Sequence, residues 1–133
     1  MIGVVVATHG NLGAELLVST QMIIGPVRNA RSVSINQDNS MEDIRDAIAA
    51  AIAEVGTDGN GVIIVTDMFG GTPANVSMTF LEPQAVDVLT GVNLPMLLKF
   101  FNSQESLGLD ELAGILKSYG QQSIILASEY LQR

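Results

Sequence analysis

Ile-Gly-Val-Val-Val-Ala-Thr-His-Gly, residues 2–10, opens the chain with a short, β-branched apolar run that stops at a polar, glycine-containing loop. A strand half-exposed to water alternates apolar and polar residues. A continuous apolar run belongs to a strand covered on both faces, as in a parallel sheet. The reading is a buried strand over Ile2–Ala7, with Thr8-His9-Gly10 as its exit.

The same pattern returns at Gly61–Thr66 (GVIIVT), which ends at Asp67 in a loop containing Gly70-Gly71. Between the two strands, Leu16, Leu17, Met22, Ile23 and Ile24 recur at helical spacing over Gly13–Ile24, and Gly25-Pro26 stops that helix. Ser32–Ile35 alternates as a short second strand, and Ser40 with Asp43 forms a capping arrangement before a helix that runs to Gly56. Thr72 is predicted to cap a third helix whose first residue is Pro73 and which carries Asn75 to Phe80. Ala85–Leu89 reads as a fourth strand with Gly91-Val92-Asn93 as its exit. Helices over Leu94–Phe101 and Asp110–Tyr119 follow.

Strands alternating with helices predict an α/β fold: a three-layer sandwich around a mostly parallel central sheet, joined by right-handed crossovers. The length of 133 residues predicts a single domain over 1–133, and a hydrophobic content of 47% supplies a core. With 6 basic and 14 acidic residues the net charge is −8, which opposes nucleic acid and anionic membrane surfaces. The absence of cysteine removes disulfides and thiolate metal sites. The apolar start lacks a basic leader and a cleavage pattern, and no run is long enough to span a membrane, so a cytoplasmic home is expected.

In open α/β sheets ligands bind beyond the carboxyl ends of the strands, here His9-Gly10, Asp67–Thr72 and Gly91–Asn93. His9 is the only histidine. A neutral imidazole has one bare nitrogen able to attack phosphorus, provided the other keeps its proton and the ring is held. A carboxylate beside that N–H does both, and Asp67, at the equivalent exit of the third strand, is the candidate. The Gly70-Gly71-Thr72-Pro73 turn leads into a helix start where backbone N–H groups favour an anion. Each feature also has a plain reading: a surface histidine, a turn aspartate, glycines at positive φ. Only their convergence points to chemistry. The nucleophile-elbow and nucleotide-loop motifs are absent, and a lone histidine makes no zinc site, so no metal and no cofactor are expected. The methionines Met22, Met41, Met68, Met78 and Met96 read as core or partner-surface filler, with Met68 and Phe69 as a docking rim.

Three segments, V-V-A-T-H-G at Val5–Gly10, D-M-F-G-G-T-P-A-N at Asp67–Asn75 and T-G-V-N-L-P-M-L at Thr90–Leu97, resemble the mannose-type enzyme IIA components of the sugar phosphotransferase system. The resemblance implies that His9 accepts a phosphoryl group from the histidine phosphocarrier protein and donates it to a histidine of enzyme IIB, with Asp67 orienting the ring. It implies Thr72 as a hydrogen-bond donor to the phosphoryl group, with Gly10, Gly71 and Asn93 as weaker phosphoryl-binding assignments. It also implies a homodimer in which a C-terminal strand is exchanged and pairs antiparallel. Ser123–Ala127 (SIILA) is apolar and β-prone enough to supply it, although Ile124–Leu131 also reads as a helix. Many relatives continue into a fused IIB domain. With the chain ending at Arg133, the expected acceptor is a separate protein, and contact with a membrane permease is indirect. Alternative functions are a regulatory module whose partner binding follows His9 phosphorylation, the phosphocarrier subunit of a dihydroxyacetone kinase, and a passive anion-binding domain.

Overall fold

The computed structural model describes residues 1–132. The elements run β1 (Gly3–His9), α1 (Leu12–Ile24), β2 (Ala30–Ile35), α2 (Met41–Val55), β3 (Val62–Thr66), α3 (Thr72–Met78), β4 (Val86–Thr90), α4 (Leu94–Ser103), α5 (Leu109–Gln122) and α6 (Ala127–Leu131). The four strands form one all-parallel sheet in the order β2-β1-β3-β4.

The unbroken apolar runs are explained by burial on both faces. Along β1 and β3, Val5, Ala7, Val62 and Ile64 pack with Ile44, Ile48 and Val55 of α2 and Val76 of α3. Their neighbours Val4, Val6, Ile63 and Val65 pack on the opposite face with Leu97 and Phe100 of α4 and Leu112 and Leu116 of α5. Side chains alternate across a strand, so two cores need apolar residues at every position. Each fully buried Val, Ile or Leu contributes roughly 1.5–3 kcal/mol.

From β1 the chain moves to one side to make β2, then crosses to the other side for β3 and β4. The order therefore reverses between β1 and β3, the crevice where parallel sheets open a ligand site. Ala7 pairs with Thr66, which brings the residues just beyond, His9 and Asp67, to the same lip.

Several boundaries differ from the sequence expectations. β1 continues to His9, because His9 pairs with Ile35 at the end of the neighbouring β2. Gly71, not Thr72, is the cap residue of α3. Thr72 is already helical, and no side chain caps this helix. The helix ends at Met78 rather than Phe80: the Thr79 N–H bonds to Val76 O and the Phe80 N–H to Ser77 O, a tightened final turn. Ser40 caps α2 as expected, its hydroxyl accepting from the Asp43 N–H at 3.0 Å. Of the methionines named above, Met96 is core, while Met22, Met41 and Met68 are exposed.

At the C-terminus, Ser123–Leu126 forms no strand within the single chain, and Ala127–Leu131 is helical. A strand must pair its N–H and C=O groups with a neighbour, and this segment pairs with neither edge strand, β2 or β4. Ile124, Ile125 and Leu126 are exposed.

Candidate functional site

His9 ends β1 at the β1/β3 crevice, and Gly10 turns the chain away at φ +56°, the left-handed region where glycine is tolerated best. The Gly10 N–H is fixed to Ile35 O at 2.9 Å. Asp67 follows β3 directly, and one of its oxygens, Oδ2, lies 2.8 Å from His9 Nδ1 and accepts the His9 backbone N–H at 3.0 Å. Its other oxygen, Oδ1, accepts the Met68 N–H at 3.1 Å. Both sequence candidates thus meet, with the imidazole half-exposed and the carboxylate nearly covered.

Burial pushes the Asp67 carboxyl up, but the hydrogen bonds from the His9 side chain and backbone outweigh it and leave its pKa below the ordinary carboxylate value. An ionised carboxylate only accepts hydrogen bonds, so Nδ1 must carry the proton. In the neutral ring Nε2 is then bare. This is a tautomer assigned from its partner, and it gives the ring one nucleophilic atom.

Gly71 sets the other wall. A Cβ there would stand 2.8 Å from His9 Cε1 and 3.3 Å from Nε2, so the ring packs directly on the glycine backbone. With no side-chain cap on α3, the first-turn amides beyond Gly71 lack intrahelical acceptors. His9, Gly10 and Thr72 line a common cavity of roughly 480 Å3 with Ile35, Asn39 and Met41.

Asn93 lies elsewhere. Its Oδ1 accepts the Met96 N–H at 3.0 Å, capping α4, and its Nδ2 donates to Gly120 O at 3.0 Å. It lines a second cavity, of roughly 330 Å3, with Phe69, Gly91 and Lys117. The β2–α2 contribution to the His9 cavity, from Ile35 to Met41, was missed in the sequence because neutral amides in a loop carry no signal beyond that of a turn. Among the described residues, no group of three or more His, Cys, Asp or Glu side chains is arranged to hold a metal ion.

The fold is thus a parallel α/β sheet that presents a carboxylate-oriented histidine at its switch point. The model for the PTS system fructose IIA component matches residues 3–116. A fructose-specific EIIA component of Bacillus subtilis is 33% identical over all of this chain and 91% of its own. The mannose-specific EIIAB component of Escherichia coli K12 is 26% identical over 92% of the chain, which spans 38% of that longer relative. The crystal structure of a phosphotransferase-system EIIA component from Streptococcus agalactiae superposes with a TM-score of 0.87 at 26% identity, covering 97% of this chain and 99% of that one. The chain belongs to the mannose/fructose/sorbose family of phosphotransferase-system enzyme IIA components.

Proposed function

We propose that the chain is a phosphoryl carrier that takes a phosphoryl group on His9 Nε2 from the histidine phosphocarrier protein and passes it to a histidine of a separate enzyme IIB. The observation that carries this reading is the 2.8 Å contact between His9 Nδ1 and Asp67 Oδ2, which leaves Nε2 as the bare nitrogen. In the forward step the Nε2 lone pair forms a bond to phosphorus as the donor's N–P bond breaks, and the donor imidazole leaves with that electron pair. Asp67 keeps its negative charge opposite Nδ1–H, stabilising the positive charge that grows on the ring as the bond forms. The return step is the same displacement by an acceptor imidazole.

Thr72 and the open amides at the start of α3 suit the phosphoryl oxygens. Gly10 acts through the turn it allows, and Gly71 through the room it leaves for the ring. Asn93 acts at a distance, as a helix cap. The wider reading is a cytoplasmic single-domain protein, three-layered and homodimeric through the exposed segment at Ser123–Ala127. No described helix is long and apolar enough to cross a membrane.

The test is intact mass after incubation with phosphoenolpyruvate, enzyme I and the histidine phosphocarrier, beside a His9→Ala variant. One acid-labile phosphoryl gain, absent from the variant, is expected. A folded His9→Ala protein that still gains phosphate refutes the assignment.

A further inference from the structure

We propose that Thr8 is a positioning residue for His9, acting as a clasp that holds the turn carrying the imidazole; this rests on the phosphoryl-carrier reading. Thr8 is fully buried at the penultimate position of β1. Its Oγ1 accepts the buried N–H of Gly13 at 2.8 Å, and its hydroxyl points back to Gly10 O at 3.4 Å. Gly13 is the second residue of α1, so this is the bond an N-cap side chain normally supplies. Asn11, the residue at the cap position, makes no such bond. The helix is capped instead from the strand before the turn, across His9.

The backbone around the imidazole therefore has three anchors: the His9 N–H on Asp67, the Gly10 N–H on Ile35 O, and the Gly13 N–H on Thr8. The first two tie the turn to the β2 and β3 side of the sheet, and the third, beside the helix's own first bond from the Glu15 N–H to Asn11 O, ties β1 directly to α1. Gly13 makes the approach possible, because a Cβ there would stand 2.7 Å from Val6 O and 3.3 Å from Thr8 Oγ1. Replacing the hydroxyl by a methyl leaves the shape of the side chain but strands the buried Gly13 N–H, and the start of α1 must move to rehydrate it. The backbone that sets the imidazole against Asp67 moves with it.

Thr8→Val, Thr8→Ser and Thr8→Ala separate this from a purely structural role. Two donors are used, the histidine phosphocarrier protein and the small molecule phosphoramidate, so that docking and His9 reactivity are read independently. The expected result is that Thr8→Val slows phosphorylation by both donors by about tenfold or more, and that Thr8→Ser restores both to within about threefold of the parent. Nitrogen NMR of the imidazole should show the Nδ1–H form weakened in Thr8→Val and restored in Thr8→Ser. Thr8→Ala, which leaves room for a water on the Gly13 N–H, should fall between them and serves if Thr8→Val does not fold. A folded Thr8→Val with parental rates and an unchanged imidazole signature overturns the proposal. Failure of the carrier reading looks different: the parent protein itself gains no phosphate from either donor.

Discussion

Gly71→Ala puts the packing of the imidazole to the test with a single methyl group. Gly71 sits at φ −92°, ψ 170°, extended backbone that alanine adopts without strain, so the substitution acts by volume. The new Cβ would stand 2.8 Å from His9 Cε1, whereas carbon atoms rest about 3.5–4.0 Å apart. The ring must therefore move by about 0.7–1.2 Å. The 2.8 Å hydrogen bond to Asp67 has no room for a displacement of that size in either direction. A misplacement near 1 Å at a reacting group costs on the order of 100-fold in rate, about 2.7 kcal/mol on the barrier. Stability should fall far less, by about 0.5–1 kcal/mol from exchanging glycine for alanine at a helix cap, because the half-exposed imidazole can swing into solvent. Rapid-quench measurement of phosphoryl uptake from the protein donor, with urea unfolding of the same samples, checks both numbers. A variant that reacts within about threefold of the parent shows that the ring does not need the place the glycine leaves for it.

Asp67→Asn offers one acceptor oxygen where three donors now meet two, so one of the His9 N–H, the Nδ1–H and the Met68 N–H must face an NH2 group. Phosphoryl uptake should fall by about 100-fold or more, measured as above. Because the Asp67 pKa is lowered on folding, its stabilising contribution is complete above the ordinary carboxylate value of about 3.9 and disappears as the pH falls through the folded value. The urea midpoints of the parent and Asp67→Ala should therefore differ most at pH 7, and the difference should narrow as the pH falls through and below the ordinary carboxylate range. Asn93→Ala should lower stability by about 1 kcal/mol through the lost α4 cap while uptake stays within about threefold; a specific collapse of the rate would return Asn93 to the reacting site. Thr66 buries a hydroxyl without a hydrogen-bond partner. Thr66→Val should thus leave the melting temperature unchanged or raise it by about 3 °C in calorimetry.

The parallel sheet was legible because Val4–Val6 and Val62–Val65 are apolar at every position, a pattern that only two-sided burial explains. The pairing of His9 with Asp67 followed from strand exits, since both residues end runs of that kind. What resisted reading was the division of labour among small polar residues. Thr72 has the chemistry of a cap and Gly71 does not, yet Gly71 holds the cap position, and the imidazole packs on the surface its missing side chain leaves open. Asn93 looks like a loop ligand until Met96 and Gly120 claim its amide. Thr8 reads as one more residue of a strand, and its bond to Gly13 depends on how closely α1 folds back over β1. These are tertiary distances, and local pattern does not encode them.

The contact between His9 and Asp67 spans 58 positions of sequence and exists only once β1 and β3 lie side by side. Parallel pairing of this kind closes a long loop before any bond is gained, an entropic cost that slows folding in general. A slip of one residue in that register would turn His9 to the opposite face of the sheet from its present neighbours. The His9–Asp67 pair is thus a reporter of completed topology, and a collapsed or misregistered chain has the same histidine without its partner.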